Sequence, residues 1–484
     1  MFSIVLVSIY LVLMIVIGVW GLKKTTTLND FFLGGRTIGP WVSAFAYGTT
    51  YFSAVLFIGF AGKLGWVFGL NALWIAAGNA IIGTLLAWFF LGRRTRVMTQ
   101  NLEAMTMPEF LHERYQGKYI KIITSAIIFV FLIPYSASVF KGLGYLFEVN
   151  FNISYDVALL IMILITGIYL VLGGYFAITL TDFIQGIIMI FGAVVMVGIL
   201  TVKGGGVVSV IPNIIEKYSL HMPPEKHPGY LLLFSLVFMT SFGTWGMPQM
   251  VQKFYAIKNE AVIKKAAIVT TVFAIIISFA AYFTGTMTHI FYDKPIIVNN
   301  APAFDRMIPT MLTTFLPSWL MGIILLLILA ASMSTLSSLV LISASSVAID
   351  MYKGHINPNI SKERSLAMMR FLSGVFIVIS YFIAKYEFAI IITLMSLSWG
   401  VVAGSFMAPY IYGLYWKRTT KIGAKAGMVT GLVLAVVLFF VMGPAKSPIA
   451  SMIAMIVPFI VVPVVSLFTT APSKEHLHKA FKGV

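Results

Sequence analysis

An all-α fold that crosses a membrane many times is what this sequence predicts, and two observations predict it. Of the 484 residues, 60% are hydrophobic and only 10% charged, against roughly 25% charged in a typical soluble domain. Apolar runs of about 20 residues, the length a helix needs to cross the hydrocarbon core, recur from one end of the chain to the other. About thirteen spans are expected: 3–22, 38–62, 65–92, 120–145, 155–173, 178–202, 229–252, 266–291, 315–349, 367–384, 388–413, 423–443 and 448–470.

Taken in order, the spans are not alike. Span 3–22 ends without a small-residue cleavage site, so it reads as a true span and not a removable signal. In 38–62 the run Ala46-Tyr47-Gly48-Thr49-Thr50-Tyr51-Phe52-Ser53 breaks the apolar stretch with glycine, β-branched and hydroxyl residues. Span 120–145 holds Lys141 near its outer end, and 178–202 holds Asp182, the only acidic residue well within a span, about one turn from its inner end. A second break, Phe242-Gly243-Thr244-Trp245-Gly246-Met247-Pro248, interrupts 229–252. Glycine and proline in mid-span free backbone carbonyls, which is tolerated where a kink is repacked or where a cavity, ion or ligand accepts them. The longest loops, 93–119 and 203–228, fall below the ~40 residues a domain needs to fold alone, so 1–484 reads as one transmembrane domain.

The two breaks are paired. Each opens a group of five spans, 38–202 and 229–413, with 1–37 preceding them and two extra helices and a short tail in 414–484. Interrupted helices in corresponding positions of two halves point to an inverted-repeat transporter with a site near the midplane. Five is odd, so the halves start from opposite sides of the membrane.

Span 315–349 carries five hydroxyls in Ala330-Ala331-Ser332-Met333-Ser334-Thr335-Leu336-Ser337-Ser338. On a helix, Ala331, Ser334, Thr335 and Ser338 share one face. Neutral oxygens crowded on a buried face are what a small hard cation needs in place of its water shell. Close packing against another helix is the other reading, because small and hydroxyl residues are common at membrane-helix interfaces. Asp182 reads as part of an ion path, or as an interfacial carboxylate. Lys141 reads either as snorkelling outward or as facing a cavity that takes a carboxylate.

The net charge of +17 needs no polyanionic partner. With the N-terminus outside and the C-terminus inside, 24 of the 33 basic residues fall in inner loops, Lys253 among them, and eight in outer ones; that asymmetry sets the orientation expected in a cell membrane. Lys141 is then the one basic residue expected within a span. There is no cysteine, and the seven histidines form no metal-spaced pair inside a span, which excludes thiol chemistry and argues against zinc or haem. No paired carboxylates, HExxH or Ser/His pair falls within the spans, so no enzyme constellation is expected. The expected partners are a small solute and membrane lipid, with no nucleic acid and no obligate protein partner.

Three segments in order carry a resemblance over nearly the whole chain: Phe32-Leu33-Gly34-Gly35-Arg36; Leu172-Gly173-Gly174-Tyr175 leading to Thr181-Asp182-Phe183-Ile184-Gln185-Gly186; and Ala330 to Ser338. On these the chain resembles the sodium:solute symporter family, which includes bacterial sodium/proline and sodium/pantothenate symporters and the sodium/sugar cotransporters. The resemblance implies a LeuT-type five-plus-five inverted repeat and solute import coupled to Na+. It implies a main sodium site formed by the carbonyls of Thr49, Phe52 and Ala331 with the hydroxyls of Ser334 and Thr335. Matching positions for a second sodium site, found in some members, are Asp182 with Ser334, Ser337 and Ser338. Tyr51 stands where proline symporters have an aspartate, and Thr240 and Thr244 stand for their tryptophan and tyrosine. Leu56 replaces the sugar members' glutamine. The solute pocket is expected at Tyr47, Thr50, Tyr51, Ser53, Thr244 and Trp245, with Lys141 on the cavity-facing reading, and the solute to be an amino acid such as proline or a carboxylate such as pantothenate. Proton coupling through Asp182, a channel and a substrate sensor are the alternatives.

Overall fold

The computed structural model describes residues 2–24, 28–117, 119–172 and 175–484. The pair Gly173-Gly174 of the second motif lies outside the described residues. Among them, eleven helices are long and apolar enough to cross a membrane. The number differs from thirteen because the first interrupted helix begins with a piece of only 12 residues, Pro40–Tyr51, and because the stretch Tyr155–Ile165 counts among the shorter apolar helices. The boundary expected between 62 and 65 also moves. The helix runs on through Ala61–Phe68 and turns at Gly69, whose φ of +53° suits a residue without Cβ.

Burial sorts the helices into an inner and an outer set. Within its most apolar window, Ile391–Tyr415 is 94% buried, while Lys421–Met442 is 22% buried and presents its apolar surface outward. The helix Ser318–Ser345, hereafter the serine helix, is inner too: every residue from Leu327 to Ser345 is buried. It packs against Pro40–Tyr51, Tyr175–Lys203 and Ile120–Phe151. Such all-round burial follows from a helix that is apolar on every face except for its small hydroxyls.

Both breaks are real. Pro40 starts the first helix where a missing amide does no harm; the helix ends at Phe52, which is extended (φ −111°, ψ 121°), and resumes at Val55. The second runs Tyr230–Phe242, tightens into the turn Gly243–Trp245, and resumes as Pro248–Tyr255. Beyond the first break, a Cβ on Gly65 would collide with the Gly285 backbone, so the half-helix Ala61–Phe68 lies directly on Ala261–Thr286. At the other end, Arg36 donates to Thr99 Oγ1 (3.2 Å), Ala104 O (2.9 Å) and Tyr255 O (3.1 Å). Burial, with Arg96 close by, lowers the Arg36 pKa to about 10.

Candidate functional site

Where the first helix opens, its carbonyls meet the serine helix. Ser334 Oγ lies 3.0 Å from Thr49 O and 3.0 Å from Ala331 O. Thr335 Oγ1 lies 3.3 Å from Thr49 O, 3.1 Å from Thr50 O and 3.2 Å from Ala331 O. Thr49, Thr50, Ala331, Ser334 and Thr335 are all fully buried. Five oxygens without formal charge therefore converge in a dry place. That donor set fits a singly charged hard cation better than a divalent one, which demands carboxylates. The two hydroxyls donate to these carbonyls. Thr50 O also takes part; Phe52, whose carbonyl is expected here, donates its amide to Gly48 O (3.3 Å) and stacks its ring on Tyr51 (4.4 Å), contacts that do not involve its carbonyl.

Beside this cluster lies a charged one. Asp182, fully buried, has Lys253 Nζ 3.2 Å from its Oδ2. The same Nζ donates to Ser338 Oγ (3.1 Å), and Ser338 Oγ is 3.1 Å from Thr50 Oγ1. Ser337 Oγ donates to Ser334 O (2.9 Å) and does not join them. Two expectations are corrected here. Lys253 is not a loop residue: it is 2% exposed, within Pro248–Tyr255. The cation facing Asp182 is thus a side chain of the chain itself. The expected span stopped at 252, one residue short. Asp182 is also not the sole carboxylate within the bundle, since buried Asp350 accepts from Thr106 Oγ1 (2.9 Å) and faces Lys121 (3.6 Å).

A small cavity opens at the first break. Of the residues expected to bind solute, Tyr51 and Ser53 line it. The sequence reading missed Asn79, Tyr135, Tyr282 and Met395, and named Thr240 only as a departure. Tyr51 OH donates to Thr240 O (2.6 Å), and Thr240 Oγ1 to Asn79 Oδ1 (2.8 Å), so the polar wall is already networked. Tyr282 OH is buried without a hydrogen-bond partner, which leaves one donor for a bound molecule. A polar residue in the middle of an apolar run, as Asn79 is in 65–92, was the available signal.

The other candidates lie elsewhere. Tyr47 OH and Thr244 Oγ1 both donate to Gly83 O (2.8 and 3.3 Å), and Trp245 Nε1 donates to Ile82 O (3.1 Å). Both carbonyls lie in the π-helical stretch Ile81–Leu86. Thr50 faces Ser338. Lys141 neither snorkels nor reaches the cavity: 3% exposed, it donates to Ala389 O (2.8 Å) and lies 3.8 Å from both Asp305 and Glu387.

Broken helices around a buried oxygen cluster, with a cavity at the break, define a helical membrane transporter with an ion site. The comparisons narrow the class. Residues 31–431 match the model of the sodium:solute symporter family, and the chain belongs to that family. It is 30% identical over 426 residues to the osmoregulated proline transporter of Bacillus subtilis, covering 87% of this chain and 86% of that one. It is 31% identical over 437 residues to a sodium/proline symporter of Haemophilus influenzae, covering 88% and 85%. A sodium-coupled sialic acid symporter captured outward-open has the same fold, with a TM-score of 0.80 at 19% identity over 98% of this chain and 99% of that one. The protein is therefore a sodium-coupled solute symporter and not an enzyme, and Na+ is its coupling ion.

Proposed function

We propose that the chain imports a small zwitterionic solute together with sodium, with proline the first candidate, and that sodium binds between Thr49, Thr50, Ala331, Ser334 and Thr335. The observation that carries this is the convergence of Ser334 and Thr335 on the Thr49 carbonyl at 3.0 and 3.3 Å. A sodium ion there would bridge the broken helix and the serine helix, and would order the adjoining wall of Tyr51 and Ser53. By linkage, sodium tightens solute binding by the factor with which solute tightens sodium binding. The cavity lining contains no charged side chain among the described residues, which favours a solute whose own charges cancel. Tyr51 in place of an aspartate keeps the pocket distinct from that of the proline symporters, so pantothenate and other small carboxylates belong in the same screen.

Alternating access then requires the two ends to open in turn: the Arg36 contacts at the inner end, and the Lys141 and Gly65–Gly285 contacts at the outer. We read 38–202 and 229–413 as inverted repeats, supported by the paired breaks, with the N-terminus outside and the chain in a bacterial plasma membrane. Because the chain has no cysteine, Val484→Cys provides a unique label, expected to react only from the cytoplasmic side.

The site is tested by sodium-dependent uptake in liposomes. Ser334→Ala and Thr335→Ala should each raise half-saturating sodium about tenfold, the equivalent of about 1.4 kcal/mol for one lost oxygen. Wild-type sodium dependence in both variants removes the site. The solute is tested by thermal shift of amino acids and carboxylates with and without sodium, where stabilisation only in sodium identifies it.

A further inference from the structure

We propose that Lys253 is a built-in cation that takes the place of a second sodium ion, so that this chain binds one sodium ion where Asp182, Ser337 and Ser338 alone would suggest two. The inference rests on the Thr49–Thr335 cluster being the sodium site.

The argument is one of charge and geometry. Asp182 is fully buried on Tyr175–Lys203 and carries the formal negative charge that faces Lys253. The Lys253 ammonium, 3.2 Å from Oδ2, neutralises it and is itself 2% exposed. A sodium ion added beside them would leave a net positive charge in a dry, low-dielectric place, which is strongly unfavourable unless a further anion arrives. Asp182 Oδ1, which has no hydrogen-bond partner, supplies a lone pair but no additional charge. The ammonium also occupies Ser338 Oγ, one of the oxygens a second ion would need, at 3.1 Å.

The same lysine links the parts that move. An ammonium only donates, so Ser338 Oγ accepts from Lys253 and its own hydroxyl proton is available to Thr50 Oγ1, 3.1 Å away. Thr50 in turn offers its carbonyl to Thr335 in the sodium cluster. Lys253 thereby ties the inner piece of the second broken helix to the helix of Asp182, the serine helix and the first break. A mobile sodium ion at this position would come and go with each cycle; a tethered ammonium stays, and fixes the stoichiometry in the sequence.

The test counts radiosodium bound to the purified, detergent-solubilised protein at saturating sodium without solute. The wild type should bind one ion per chain. Lys253→Met, which frees Asp182 and Ser338 while filling similar volume, should bind two, and adding Asp182→Asn should return the count to one. Two ions on the wild type, or one on a folded Lys253→Met, overturns the inference. If Lys253→Met does not fold, the wild-type count still decides between one and two. Failure of the underlying site shows differently: the wild-type ion would then survive in Ser334→Ala/Thr335→Ala.

Discussion

The two interrupted helices break to different effect. At Phe52–Ala54 the backbone opens, and the carbonyls of Thr49 and Thr50 meet hydroxyls of another helix in a fully buried cluster. At Gly243–Trp245 the chain merely tightens: Gly246 N closes on Gly243 O at 3.0 Å, and Pro248 restarts the helix. Its polar side chains, Thr244 and Trp245, are engaged by Gly83 and Ile82. Freed carbonyls alone do not make a site. What distinguishes the first break is a partner helix that brings small side-chain oxygens and no bulk, whereas the second faces main-chain carbonyls of the π-helical stretch, which accept its donors.

The largest expected effect tests the first half of that contrast. Ser334→Ala with Thr335→Ala should raise half-saturating sodium by roughly a hundredfold or more, since each hydroxyl on a charged group contributes about 1.5–3 kcal/mol. Sodium-dependent uptake measures it, and a shift under about threefold would make the break a packing feature like the second.

Next comes Lys141, which the cavity-facing reading placed with the solute and which the structure places among Ala389, Asp305 and Glu387. Lys141→Met leaves buried Asp305 with its bond from the Ile391 amide (3.0 Å) but without its nearest cation. Burial already raises the Asp305 pKa against the pull of Lys141. A loss of about 3 kcal/mol in stability is expected, as when one member of a buried pair is removed, with the solute KM unchanged. A raised KM at wild-type stability would return Lys141 to the pocket. Smaller still, Thr244→Val and Trp245→Phe should each cost about 1 kcal/mol in stability for one lost hydrogen bond and leave half-saturating sodium where it is. A sodium shift in either would erase the difference between the breaks.

How much of this was legible follows from what a linear pattern can carry. The serine helix announced itself because its oxygens repeat at helical spacing, and the break at Thr49 because glycine and threonines interrupt an apolar run. Lys253 did not. It stands five residues past Pro248, where hydropathy falls and the span reads as ended, and only the fold turns that short helix back into the bundle opposite Asp182. The roles of Tyr47, Thr244 and Trp245 were hidden for a related reason. Their partners are main-chain oxygens at Ile82 and Gly83, which side-chain identity does not encode.

The smallest effect concerns pH, and it separates the break in the first helix from the half-helix beyond it. The break is bonded through neutral hydroxyls and carbonyls that do not titrate. The half-helix, Ala61–Phe68, carries Trp66, against whose ring His221 and His289 stack at 5.3 and 4.3 Å. The two imidazoles share a hydrogen bond between their Nδ1 atoms (3.0 Å), which requires one nitrogen to donate and the other to accept. Burial pushes the His221 pKa below its ordinary value; Asp293 pulls it up and Lys217 down. A histidine held neutral by the fold binds its proton more readily unfolded, so stability falls as pH drops below about 6.5, the ordinary value, and levels off below the lowered one. Wild-type melting temperature should therefore decline by a few degrees at most between about pH 7.5 and pH 5.5, and His221→Gln should flatten that slope. An unchanged slope in the variant would mean that the acid sensitivity arises from groups other than His221.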